Sequence, residues 1–305
     1  MNIQLHEPKA GERFYTVDDE RWPSVTEVLD SKSDPGIAYA RATWVQKEAL
    51  RLTALHCKGL KAVQPGYVWN GAKYERCVTE HDPLDLLTDA DYMMGAATRG
   101  GQAAMDRGSL ANGFLDEHFA GGDASQAGLD DLPYWLDNAI AEGRTVPWAD
   151  LPVPYRCQAE EALPYVVSAY HWVKDSGFRI VAAQVKVAHV KDRYAGTMDA
   201  LAEKDGLWSL EFKTGAEPKR SHFVQKAAYR SALASIGVKV KGSAVVVLSP
   251  ECHKTCPMEP RRYLDCRQEF SRLLASYRFG KRAVPWSKAE RRNLDSFDQP
   301  VARTA

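Results

Sequence analysis

The chain has 305 residues, with 40 basic and 40 acidic side chains that leave a formal net charge of zero. At 45% hydrophobic and 26% charged residues it is composed like a folded globular protein, which excludes a disordered or low-complexity chain. No stretch approaches the roughly 18 apolar residues of a membrane span, and Met1-Asn2-Ile3-Gln4-Leu5-His6 lacks the basic and apolar segments of a secretory signal. A cytoplasmic protein with no membrane partner is therefore expected.

In chain order, Trp22-Pro23-Ser24-Val25-Thr26-Glu27 follows Tyr15-Thr16-Val17 and has the form of a capping box, with Ser24 capping a helix and Glu27 reaching back. Ile37, Ala40, Trp44, Val45, Ala49 and Leu52 recur at helical spacing over residues 35–55, and Gln64-Pro65-Gly66 breaks that pattern. A second helical region runs from Pro83 to Phe119. Residues 121–154 are rich in Gly, Asp and Pro, with a short helix at Tyr134–Ala141 and with Trp135 and Trp148 read chiefly as packing residues. Gln158 to Lys174 is amphipathic, interrupted by Pro164; Glu160 and Glu161 read as surface carboxylates. Phe178 to Val190 reads as a strand.

The next segments are the most informative. Tyr194-Ala-Gly-Thr-Met-Asp-Ala-Leu and Trp208-Ser-Leu-Glu-Phe-Lys-Thr-Gly alternate as strands do, joined through Lys204-Asp205-Gly206. A two-residue loop would place Asp199 opposite Phe212. A three-residue loop, a type I turn with Gly206 left-handed, places it opposite Glu211 and is preferred, because chemistry and core then fall on separate faces. Thr197, Asp199, Glu211 and Lys213 form the first face; Met198, Ala200, Trp208, Leu210 and Phe212 form the second. Facing carboxylates repel unless a cation sits between them, and Mg²⁺ or Mn²⁺ suits such oxygen ligands. Lys213 is spaced to steady a water or neutralise charge growing on a phosphate. A helix follows over Pro218–Ile236, ended by Gly237, and Gly242–Ser249 reads as a strand buried on both faces that returns parallel to the same sheet. Asp265–Phe279 forms a last helix before a polar tail.

The run Gly196-Thr-Met-Asp199, eleven residues, then Glu211-Phe-Lys-Thr-Gly, followed by Gln225-x-x-x-Tyr229, resembles the PD-(D/E)XK nuclease superfamily in its RecB-like and phage-exonuclease branch. The likeness is specific from about Gln158 to Leu248. It implies an α/β (α+β) fold with a restriction-endonuclease-like core of helix, three strands, helix and strand. It also implies metal-binding Asp199 and Glu211, a catalytic Lys213, and Gln225 and Tyr229 as a supporting, DNA-contacting pair. Pro23-Ser24-Val25-Thr26 is similar to the opening of many phage members. Arg107-Gly108-Ser109-Leu110-Ala111-Asn112 is similar to a segment whose last position is a ligating histidine, so Asn112 stands in a ligand position with a neutral amide. Gln184 stands where an acidic ligand is usual. Both substitutions weaken the expected metal affinity, with Asp116 and Glu117 as candidate substitutes.

Three regions are expected: a helical N-terminal elaboration over 1–155 forming a cleft wall, a core with its closing helix over 156–285, and the tail 286–305. Ten acidic residues lie between Asp116 and Glu161 against Arg144 and Arg156, and eleven basic against four acidic lie between Lys254 and Arg292. Lys219, Arg220, Lys226 and Arg230 form a basic flank suited to phosphate contacts. Together these features imply a Mg²⁺- or Mn²⁺-dependent deoxyribonuclease, an exonuclease of phage recombination or replication type. Its partners would be DNA and a single-strand annealing or replication protein, with an oligomer allowed, in the host cytoplasm if phage-encoded. Two alternatives stay open. One is a catalytically quiet DNA-binding module. The other is an iron-sulfur component of a helicase-nuclease assembly using Cys252, Cys256 and Cys266 with Cys57, Cys77 or Cys157, although C-x3-C-x9-C is a loose spacing for a cluster.

Overall fold

The pivot of the fold is the hairpin read from the sequence. In the computed structural model, which describes residues 1–9, 12–30, 35–69, 74–142 and 159–282, the register runs from Glu203↔Leu207 to Ala200↔Leu210. Three residues, 204–206, therefore form the loop, and the register sets Asp199 across from Glu211. The turn differs from expectation in one detail: Asp205 takes the left-handed position at φ 50° and Gly206 has φ 122°. Asp tolerates that conformation because its short polar side chain can bond locally.

Before this hairpin come β1 (Ile3–Lys9), β2 (Glu12–Val17), β3 (Glu20–Trp22), α1 (Val25–Asp30), α2 (Pro35–Cys57), β4 (Ala62–Trp69) and β5 (Tyr74–His81). Next are α3 (Pro83–Thr88), α4 (Ala90–Ala120), α5 (Asp123–Gln126), a 3-10 turn at Leu129–Asp131, α6 (Leu132–Ala141) and α7 (Ala159–Asp175). The remainder is β6 (Arg179–His189), β7 (Tyr194–Glu203), β8 (Leu207–Thr214), α8 (Arg220–Ser235), β9 (Gly242–Leu248), β10 (His253–Pro257) and α9 (Pro260–Arg282). The five-stranded sheet has the order β10-β9-β8-β7-β6, with β8 and β9 parallel and the other neighbours antiparallel. It is a mixed α/β fold.

Helices cover both faces of that sheet. Phe114, Leu136, Ile140, Val166 and Trp172 of α4, α6 and α7 pack with Ala200, Leu210, Phe212 and Val246. Val25, Val224, Tyr229 and Phe270 of α1, α8 and α9 pack with Val187, Met198, Val245 and Val247. β9 sends alternate residues into the two cores, which is why Ala244-Val245-Val246-Val247-Leu248 carries no polar side chain.

Several expectations are corrected. Residues 62–81 form the β4–β5 hairpin, with Pro65 paired to Val78 rather than ending a helical segment. In a two-stranded sheet both strands are edges, where proline is tolerated. The helical region from Pro83 breaks at Asp89, whose carboxylate accepts the Tyr92 N–H and caps α4. Pro164 lies inside a continuous α7. Ser24 does cap α1, accepting the Glu27 N–H at 2.9 Å, but Glu27 accepts a hydrogen bond from the Tyr277 hydroxyl of α9. Trp148, Cys157, the boundary near residue 155 and the tail 286–305 lie outside the described residues.

Candidate metal centre where two strands part

The β7–β8 ladder stops at Ala200↔Leu210, one pair short of Asp199 and Glu211, while β7 continues along β6 to Tyr194. β8 continues instead along β9 to Thr214↔Leu248. The strands separate there, and the Asp199 carboxylate accepts the Phe212 N–H at 2.7 Å in place of a ladder bond. The break also shifts the faces: Met198 joins the α8-side core, while Ala200, Leu210 and Phe212 line the other. The expected grouping of Met198 with those three is thus corrected, at the point where β7 loses one neighbour.

Glu211 is buried, and Lys213 Nζ donates to its Oε1 at 2.9 Å. Its Oε2 is buried with no hydrogen-bond partner among the described residues. Burial, then the neighbouring Glu211 charge, raises the Asp199 carboxyl to about 7. Burial pulls Lys213 down, but Glu211 and Asp199 outweigh it and hold its ammonium above the usual lysine value. An orphaned carboxylate oxygen beside a second carboxylate suits a hard divalent cation, so Asp199 and Glu211 fit Mg²⁺ or Mn²⁺ on their donor chemistry. Among the described residues, no group of three or more His, Cys, Asp or Glu side chains is placed to hold an ion. The two carboxylates would need water or substrate oxygens to complete a coordination shell.

The remaining expected residues are distributed around this pair. Gln225 Nε2 donates to the Tyr229 hydroxyl at 3.1 Å within α8. Tyr229 in turn lies against Gly196, where an added Cβ would come within 2.7 Å of the ring, so Gly196 admits the tyrosine beneath β7. Thr197, two residues before Asp199, hydrogen-bonds the Tyr15 hydroxyl at 2.8 Å and ties the N-terminal sheet to the site. Gln184 of β6 stands opposite Asp199 in register, between the Ala183↔Ala200 and Val185↔Met198 pairs, with φ 48°. Its amide donates to both Asp116 carboxylate oxygens, at 2.9 and 3.0 Å. Asp116 is therefore occupied by Gln184. Glu117 accepts from Trp135 Nε1 and Ala124 N, which makes it a structural residue rather than a substitute ligand. Asn112 sits partly buried in α4, one turn beyond Gly108, where an added Cβ would stand 3.3 Å from Thr214 Oγ1. That close approach brings α4 against the end of β8.

The expected basic flank is not one surface. Lys219 is exposed, Arg220 donates to Glu269 at 2.7 Å, and the Arg230 guanidinium lies 4.5 Å from the Tyr263 ring centre. Lys226 is corrected outright: it has 0% exposure, and among the described residues its Nζ has no hydrogen-bond partner. Position 226 falls three residues before Tyr229 and seven before Leu233, both buried, which is the spacing that could have revealed it. Exposed basic side chains line an open cleft instead, with Arg220 paired to Glu269, Lys254 paired to Glu217 and Arg262 over the Phe223 ring.

No family model and no curated protein matches the chain. A solved structure titled "Crystal structure of SSO0001" matches with 13% identity over 38% of this chain and a TM-score of 0.22. The match spans 59% of that chain's length. Among the described residues no helix is long and apolar enough to cross a membrane.

Proposed function

We propose that the chain is a Mg²⁺- or Mn²⁺-dependent deoxyribonuclease of the PD-(D/E)XK type, acting as an exonuclease in phage-type recombination or replication. The observation that carries the reading is the parting of β7 and β8 at Asp199 and Glu211, with one Glu211 oxygen held by Lys213 and the other without a hydrogen-bond partner among the described residues. The succession α7-β6-β7-β8-α8-β9 agrees with the helix, three strands, helix and strand of a restriction-endonuclease-like core. When bound, a divalent ion supplies a water acidic enough to act as nucleophile and a Lewis acid for a phosphate oxygen. Asp199 and Glu211 would hold it. Lys213 keeps Glu211 oriented and, at 26% side-chain exposure, has access to a scissile phosphate whose growing negative charge it neutralises. Gln225 and Tyr229 brace β7 from below, and the cleft of Arg220, Lys254 and Arg262 offers phosphate contacts without a base-reading element.

One observation favours a second reading, a catalytically quiet DNA-binding module: Gln184 and Asn112 bring no charge, and Asp116 is engaged by Gln184. The iron-sulfur alternative gains no such support, since Cys252, Cys256 and Cys266 enter no three-ligand group among the described residues. Digestion of linear and circular DNA with Mg²⁺, Mn²⁺ or EDTA, by wild type and Lys213→Ala, separates the readings. The nuclease reading expects metal-dependent loss of linear DNA, sparing of circles, and a drop of about 100-fold or more in Lys213→Ala. Binding without cleavage under any metal would favour the quiet module.

A further inference from the structure

We propose that Lys226 is the resident counter-cation of the Asp199–Glu211 pair: its buried ammonium holds the two carboxylates together without metal and weakens the site's affinity for a divalent ion. The metal half of this inference rests on the nuclease reading; the counter-cation half does not. A buried ammonium without hydrogen bonds is costly, and a fold keeps one only where opposite charge or a π-face compensates. Lys226 has a π-face, its Nζ lying 5.9 Å from the Tyr229 ring centre. Burial pulls its ammonium down to about 8; the charges of Glu211 and Asp199 oppose that pull without cancelling it, and Lys213 adds to it.

The complementary group is Glu211, whose Oε2 is buried with no hydrogen-bond partner among the described residues while Lys213 holds Oε1. Among the described residues, an unpartnered anion on β8 and an unpartnered cation on α8 are thus both buried where α8 packs against β7 and β8, with no ion pair at contact distance, and attraction in such a low-dielectric region extends beyond contact. The charge balance points the same way. Lys213 and Lys226 are both among the charges that act on Asp199, so an incoming divalent ion meets a site that already holds two cationic side chains. Lys226→Met keeps the length and much of the packing while removing the charge.

Two measurements on the full chain test this. In EDTA, Lys226→Met should lower the urea midpoint in the wild-type background and lose that effect in a Glu211→Gln background. By calorimetric titration, Lys226→Met should bind Mn²⁺ about tenfold tighter or more. An equal midpoint loss in both backgrounds would reduce Lys226 to packing and overturn the proposal, as would unchanged or weaker Mn²⁺ binding by a folded Lys226→Met. If neither protein binds Mn²⁺ while the coupling to Glu211 is present, the metal reading falls with the affinity half, and the counter-cation stands. Should Lys226→Met fail to fold, Lys226→Gln enters both measurements in its place.

Discussion

Asp199 and His222 carry opposite pH signatures, and each follows from what surrounds the side chain. The folded Asp199 carboxyl sits at about 7, above its ordinary 3.8. The folded chain therefore keeps a proton that the unfolded chain releases between about 4 and 7, and stability falls as pH rises through that window. In EDTA, Asp199→Asn should melt above wild type at pH 8, with the gain shrinking toward pH 4. His222 is pushed down to about 4 by burial and by Lys213 and Lys219. Its contribution is present above its ordinary 6.5 and lost as pH falls toward 4, so His222→Gln should flatten acid destabilisation in the same melts. Asp199, Glu211 and Lys213 were legible because the loop length fixes which side chains face each other. Lys226 was legible only in part: its spacing to Tyr229 and Leu233 places it on the inner stripe of α8, but what that stripe packs against depends on α8 lying between the sheet and α9.

Among the elements, β7 and α8 meet closely at Gly196 and Tyr229. An alanine at 196 would push a Cβ to 2.7 Å from a buried ring that has little room to move. Gly196→Ala should cost about 1–3 kcal/mol in denaturant unfolding. Tyr229→Phe, which removes only the Gln225 hydrogen bond, should cost about 0.5–1.5 kcal/mol. The hairpin loop, the ends of α8 and the two-faced burial of β9 could be read from turn chemistry and hydrophobic period. The displacement of Met198 could not, since it arises where β7 parts from β8, and neither could the left-handed backbone of Gln184, which no local alternation marks.

At the scale of the molecule, zero net charge places the weight of any DNA binding on local clusters such as Arg220, Lys254 and Arg262. With Glu211→Gln as a cleavage-impaired background, binding to duplex DNA should weaken with salt. Arg262→Ala should reduce the log–log slope by about 0.9. The succession from α7 to β9 was legible because each element carries its own period. The N-terminal sheet and the β4–β5 hairpin were not, because their strands are short, polar or interrupted by proline. The most direct test of the central claim is anomalous scattering from crystals grown with Mn²⁺. A peak about 2.0–2.2 Å from carboxylate oxygens of both Asp199 and Glu211 is the predicted result; crystals with Mn²⁺ in the mother liquor and no peak between those carboxylates would contradict it.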